Sequence, residues 1–152
     1  MTVRTRLFAG LTAALCAVAL SGCQKPTPLV TLVSGGTSVN TGAAVFCFEG
    51  QSAQAQNCRT EDRPPTVLKV KVGAQVGVDV SKKIAEAGWV IVLPGDDQDP
   101  SNDQASGTQN SHYFAFTPQF QSGPLRLEVR MLDNGQPGAP TVGNWQFVLI
   151  PE

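Results

Sequence analysis

Charged side chains are scarce in this sequence. Lysine, arginine, aspartate and glutamate make up 15% of its 152 residues, whereas soluble proteins usually contain about 25%. The 11 basic and 12 acidic residues nearly balance, so the chain lacks the positive charge needed to bind a phosphate backbone, and we exclude nucleic acid as a partner. The 15 glycines and 11 prolines supply many turns, as is typical of a β-rich secreted domain with one hydrophobic core.

No apolar run is long enough to cross a membrane. The longest, residues 7–20, has 14 residues, and a spanning helix needs about 20. Because Arg4 and Arg6 precede it, we interpret residues 1–22 as a cleaved signal peptide. The following residues, Leu20-Ser21-Gly22-Cys23, resemble the lipobox of bacterial lipoproteins, in which the cysteine receives diacylglycerol and becomes the first residue. The alternative is an ordinary secretory signal with a chance cysteine.

Lipid at Cys23 would determine where the protein acts. Two acyl chains give stable membrane binding, whereas one gives only marginal binding. Loss of Arg4 and Arg6 leaves nine basic and twelve acidic residues, a formal charge of −3, so no polybasic segment assists the anchor. Residues 23–28 form a short tether whose prolines favour an extended spacer of about 15 Å. The prediction is a lipid-anchored protein at the extracytoplasmic face of the cell membrane.

Two stretches carry a family resemblance. One is Cys23-Gln-Lys-Pro-Thr-Pro28 with the strand Leu29 to Val33, and the other is VDVSKKIAEAGW, from Val78 to Trp89. Both resemble an uncharacterised conserved family of actinobacterial lipoproteins. The resemblance implies an envelope lipoprotein with an immunoglobulin-like β-sandwich. It implies no catalytic residues, because no activity is established for that family.

Cysteines are few once the leader is removed. Cys16 leaves with the signal and Cys23 takes lipid, so Cys47 and Cys58 remain, and in an exported domain such a pair predicts a disulfide. Closing this short loop stabilises the fold by roughly 3 kcal/mol in the chain-entropy model. The alternatives are a metal site or a reactive thiol, but between the two cysteines only Glu49 could serve as a further ligand,.

Strand patterns recur through residues 29–152. Apolar and polar residues alternate over residues 67–72, 76–80 and 125–131, and residues 89–93 are apolar throughout,. Further strands are expected at 29–33, 43–48, 112–116 and 143–150, separated by glycine- and proline-rich turns. Only Ser81 to Ala87 favours a helix, with Ser81 as N-cap and Gly88 as terminator. We therefore predict an all-β sandwich of about seven to nine short strands.

Catalytic chemistry has little support. The single histidine, His112, alternates with Phe114 and Phe116 and is expected at the rim of the core. No motif pairs it with a nucleophile and an orienting acid, and one histidine without a free cysteine disfavours a transition-metal site. The prediction is a non-enzymatic protein without a cofactor.

Two binding hypotheses remain. The first is a binding or envelope-assembly module with an envelope protein as partner, which would use exposed apolar residues such as Phe120, Val148 and Ile150; the alternative is that these residues pack inside the sandwich. The second is a small-ligand or Ca²⁺ site at the acidic loop. Its oxygen ligands would come from four carboxylates: Asp96, Asp97, Asp99 and Asp103. That loop matches an EF-hand poorly, because Asn102 and Thr108 replace the required glycine and glutamate, so a solvated loop is the alternative.

Overall fold

A computed structural model describes residues 25–48, 58–95, 103–121 and 123–152. The predicted signal peptide, Cys23, Asp96, Asp97 and Asp99 lie outside these residues. The described chain forms eleven strands and one short helix, α1. The elements in chain order are β1 (Leu29–Ser34), β2 (Thr37–Gly42), β3 (Val45–Phe46), β4 (Arg59–Thr60), β5 (Thr66–Val70), β6 (Val76–Val80), α1 (Lys82–Ala87), β7 (Trp89–Leu93), β8 (Gln104–Ala105), β9 (Tyr113–Phe116), β10 (Leu125–Leu132) and β11 (Thr141–Pro151).

The strands form two sheets, which confirms the predicted all-β sandwich. One sheet has four strands in the order β2-β1-β6-β9. The other has seven, in the order β4-β3-β11-β10-β7-β8, with β5 also paired to β11. Every strand pair is antiparallel except β5 with β11.

The order of the strands follows the immunoglobulin pattern. Strands β1, β6 and β9 take the places of A, B and E, while β8, β7, β10 and β11 take those of C′, C, F and G,. Trp89 begins β7 and is fully buried, as is the tryptophan of strand C in antibody domains. The strands β2, β3 and β4 are additional, and they carry the disulfide near the start of the domain.

The disulfide prediction is confirmed. Cys47 and Cys58 are bonded, with their Cα atoms 4.2 Å apart. The bridge lies beside the pairing of β3 with β4, so it closes a local hairpin and does not join the two sheets. Among the residues that the structure describes, no helix is long and apolar enough to cross a membrane.

The alternation predicted for the strands decides which side chains form the core. In β10, Leu127, Val129 and Met131 are buried, while the charged residues between them face outward. The prediction for residues 67–72 is only partly correct, because β5 ends at Val70 and Val72 is 72% exposed.

Helix α1 has the predicted position. Gly88 is its C-cap, with φ of 83°, and Ser81 is at the N-cap position. The hydroxyl of Ser81 makes no capping hydrogen bond, however. The helix is held to the sheet by Ile84 and Ala85, which are buried, so packing replaces the expected side-chain cap.

Strand β2 was not predicted. Its sequence, TSVNTG, contains one large apolar residue, because it is an edge strand that needs little burial. It forms a hairpin with β1 through Gly35 and Gly36, whose φ angles are 55° and 85°. Two residues with positive φ are what a type I′ turn requires, and glycine adopts that conformation readily.

Candidate binding cleft

The two sheets separate along one side of the sandwich. On the opposite side, β5 contacts both β11 of the larger sheet and β2 of the smaller one, which closes that side. On the open side, the edge strand β9 of the small sheet faces β7 and β8 of the large sheet across a cleft. Residues 106–112 cross between the sheets at one end of this cleft, and the backbone amide of Ser106 donates to the carbonyl of Ile91 there.

The cleft consists of two concave regions, of about 240 and 320 Å³. Both are lined by Leu93, Gln104 and Phe116, so they are continuous. Together they fall within the usual size range of small-molecule sites, about 300–1,000 Å³. The smaller region lies between the edges of the two sheets, and the larger one lies at the loop that joins β9 to β10.

The described lining of the cleft combines apolar side chains with neutral polar ones. Ile91, Leu93 and Phe114 line the smaller region, while Phe120 and Leu125 line the larger one. Among the residues that the structure describes, none of the side chains that line either region is ionisable. Glutamines 104, 119 and 121 supply its amide groups. Such a surface suits an uncharged ligand with a large apolar part, since the glutamine amides would orient it by hydrogen bonds.

A second concave region, of about 460 Å³, lies on the outer face of the seven-stranded sheet. Three of the four charged side chains that line this region, Asp103, Glu128 and Arg130, bind one another. The Nε of Arg130 donates to Glu128 over 2.7 Å, and its Nη2 donates to Asp103 over 3.1 Å. Asn144 also donates to Glu128, over 3.2 Å. A ligand at this face would have to compete with these bonds, so the apolar cleft is the better candidate.

Of the predicted acidic site, only Asp103 lies in the described part of the chain. Its side chain is 14% exposed and forms an ion pair with Arg130. Its Oδ1 accepts a hydrogen bond from the backbone amide of Gly95, over 3.3 Å. Asp103 therefore has a structural role in joining the ends of the β7–β8 connection. Within the described residues, no group of three or more histidine, cysteine, aspartate or glutamate side chains could hold a metal ion.

His112 precedes β9 and is exposed. Its Nδ1 lies 3.2 Å from the carbonyl oxygen of Val80. The strand that was expected to contain His112 begins one residue later, at Tyr113. Phe114 and Phe116 are half-buried against the core, in agreement with the alternation. The prediction that His112 shares the rim of the core with them is therefore wrong for the histidine.

The apolar residues suggested as a binding surface have different environments. Phe120 is half-buried, packs against the core and lines the cleft opening. Val148 and Ile150 are half-buried on β11, on the face of the large sheet that points away from the core. Sequence reasoning found Phe120 but not the cleft, because only the fold brings Leu93 and Phe116 to opposite walls of one cavity.

Comparisons of the chain with known protein families, with curated proteins and with solved structures found no match in any of the three.

Proposed function

We propose that this chain is a non-catalytic binding module, lipid-anchored at Cys23 on the extracytoplasmic face of the membrane, that holds an uncharged apolar ligand in the cleft between β9 and β7–β8. The single observation that carries the proposal is the cleft itself: apolar and aromatic side chains line it together with neutral amides, and none of the described residues that line it is ionisable. Such concave apolar sites with a few polar groups are the usual form of small-molecule sites.

The disulfide supports the proposed location. Bonded Cys47 and Cys58 are typical of exported proteins, since the reducing cytosol keeps thiols free. The lipobox-like segment before Cys23 supports lipid attachment, and the resemblance to actinobacterial lipoproteins supports an envelope protein. The apolar ligand, or a membrane protein that carries it, would be the envelope partner.

A neutral fluorescent probe tests the cleft. N-phenyl-1-naphthylamine is an uncharged aromatic dye that becomes fluorescent in apolar surroundings, and we expect the purified protein to bind it. Gln104→Trp would fill the cleft from the exposed edge strand β8, because Gln104 pairs with Leu93 and lines both regions of the cleft, so binding should weaken by about tenfold, or about 1.4 kcal/mol. Equal binding by this variant and the wild type would contradict the site.

The matched control is Thr60→Trp. Thr60 and Gln104 are both exposed residues on two-residue strands of the same sheet, but Thr60 lies at the other edge, away from the cleft. We expect Thr60→Trp to bind the dye as the wild type does. Weaker binding by both variants would mean that the added tryptophan acts through stability or association, and would remove support for the cleft.

A further inference from the structure

The chain contacts the domain from Lys25 onward, two residues after the proposed lipid anchor at Cys23. The carbonyl of Lys25 accepts a hydrogen bond from Arg59 over 3.4 Å, and the ammonium group of Lys25 lies 6.0 Å from the ring centre of Phe48. The carbonyl of Pro28 accepts a bond of 2.9 Å from the indole of Trp145. The segment expected to be a spacer is thus part of the domain from Lys25 onward.

The remaining link between lipid and domain is short. Only Gln24 separates Cys23 from Lys25, so the two Cα atoms can be at most about 7 Å apart. This is about half the reach of a spacer that extends to Pro28. A domain on so short a link cannot tumble freely above the bilayer.

Several elements lie at the same end of the sandwich as Lys25. Val30, near the start of β1, pairs with Val80 at the end of β6, which places the following helix α1 at this end. Phe46 of β3 pairs with Gly143, near the start of β11. We call residues 25–28, α1, β3 and β4 the tether end.

Basic side chains and aromatic rings meet at the tether end. The ammonium group of Lys83 lies 5.4 Å from the ring centre of Phe46. Phe46 in turn packs edge to face with Phe48 at 5.0 Å, and Phe48 is the ring beneath Lys25. Two lysines are therefore held over one aromatic pair. Lys82, in the same turn of α1, lies 3.6 Å from Glu86 in an exposed ion pair, which is weak enough to be exchanged for another anion. Ammonium groups held in this way suit phosphate-bearing headgroups.

The cleft opens at the other end. Strands β6 and β9 run antiparallel, with Val76 opposite Phe116 and Asp79 opposite Tyr113, so Phe116 is at the end away from α1. The turn between β5 and β6 is also there, because Ser34 donates to the carbonyl of Gln75 over 2.8 Å. Strands of six residues separate the two ends by about 20 Å, at about 3.3 Å per residue.

From this arrangement we propose that the tether end lies on the headgroups of the bilayer, with Lys25, Lys82 and Lys83 against lipid phosphates, and that the cleft opens away from the membrane. The proposal rests on the proposed lipidation of Cys23. It assigns a membrane-facing surface to the domain, and it implies that ligand enters from the envelope side and not directly from the bilayer beneath.

Lysine footprinting tests this orientation. The processed chain is coupled through Cys23 to a maleimide lipid in vesicles of phosphatidylcholine and phosphatidylglycerol, and amines are acylated with a reagent that does not cross membranes. The five lysines of the processed chain divide into two sets: Lys25, Lys82 and Lys83 at the tether end, and Lys69 and Lys71 on or just after β5. We expect acylation of the first set to slow several-fold relative to free protein, while the second set reacts unchanged.

A spacer variant is the matched control. Insertion of about 20 Gly/Ser residues between Gln24 and Lys25 gives the link a mean reach of about 25 Å, so protection of the tether-end lysines should be lost. The orientation would be overturned if both sets of lysines were protected equally from acylation, or if neither set were protected. It would also be overturned if the protection of the tether-end lysines persisted in the spacer variant.

Chemical coupling separates this inference from the anchor itself. The mass of the N-terminal peptide from membranes of expressing cells shows whether Cys23 carries diacylglycerol. Absence of lipid there would reject the proposed anchoring, and with it the biological orientation, even if the coupled protein is protected as expected. Lipid at Cys23 together with uniform footprinting would reject the orientation alone.

Discussion

The indole nitrogen of Trp145 donates a hydrogen bond of 2.9 Å to the carbonyl oxygen of Pro28, although the two residues are 117 positions apart. Trp145 is fully buried and packs edge to face with Phe46 at 6.1 Å. The bond therefore joins the beginning of the domain to the centre of its last strand. The polar edge of a core residue thus fixes the position of the segment that follows the proposed anchor.

We expect Trp145→Phe to loosen residues 25–28. The substitution removes the indole donor to the Pro28 carbonyl and leaves a small cavity, so the free energy of unfolding should fall by about 2 kcal/mol. Urea unfolding measures this loss, and hydrogen exchange at the amide of Thr27 measures the local effect.

Trp89→Phe is the control for that experiment. Trp89 is equally buried, and its indole also donates a bond of 2.9 Å, to the carbonyl of Ser111. We expect a similar loss of stability but no faster exchange at Thr27. Faster exchange in both variants would mean that global destabilisation, and not the bond to Pro28, controls this segment.

Gly88 should tolerate substitution far less than Gly36. Their φ angles are nearly equal, 83° and 85°, so alanine is strained at both, by about 1 kcal/mol or more; Gly88 also has a ψ of 140°, close to a backbone region that is essentially confined to glycine. A Cβ atom at Gly88 would lie 2.6 Å from the Cα of Gly135, whereas at Gly36 nothing lies within 4 Å. We expect Gly36→Ala to lower the unfolding free energy by about 1 kcal/mol and Gly88→Ala by about 3 kcal/mol. Equal losses by thermal or urea unfolding would show that Gly135 moves away without penalty.

Removal of the disulfide should destabilise the domain without changing its fold. Replacing Cys47 and Cys58 together by alanine releases the loop between them in the unfolded state, and we expect a loss of about 3 kcal/mol. Urea unfolding measures the loss, and circular dichroism should retain its β-dominated spectrum. A variant as stable as the wild type would mean that strain in the native bridge offsets its effect on the unfolded chain.

The thiol content provides a separate test of the same bond. With Cys23 modified or replaced by serine, native protein should show no titratable thiol until it is both unfolded and reduced. Reaction of two thiols in unreduced protein would contradict the bond.

Period-two alternation predicted most of the sandwich because it reports burial directly. Leu127 and Val129 face the core while Arg126 and Glu128 do not, as their spacing requires. Strand β8, formed by Gln104 and Ala105, is exposed at both positions and has no such signal. Its pairing with Val92 and Leu93 depends on the neighbouring strand and not on its own residues.

The cleft could not be predicted from the sequence. Phe114 and Phe116 were expected on a strand, and Leu93 on another, but their spacing says nothing about whether two sheet edges meet or separate. The sequence contained one indication of an immunoglobulin-like sandwich. Trp89 lies in the continuous apolar run of β7, where such a sandwich places its buried tryptophan.

Asp103 tests the proposal that the acidic loop binds Ca²⁺. Its carboxylate already accepts hydrogen bonds from Arg130 and from the amide of Gly95, and a cation at this carboxylate would be repelled by the positive charge of Arg130. We therefore expect millimolar Ca²⁺, the range bound by weak extracellular sites, to leave the melting temperature of the protein unchanged.

Asp103→Asn should lower the unfolding free energy by about 1 kcal/mol, with and without Ca²⁺, because it weakens a partly buried ion pair. Asp79→Asn, at an exposed carboxylate on β6, is the control and should change it by less than about 0.5 kcal/mol. A melting temperature that rises with Ca²⁺ in the wild type but not in Asp103→Asn would instead make the loop a cation site and place Asp103 among its ligands.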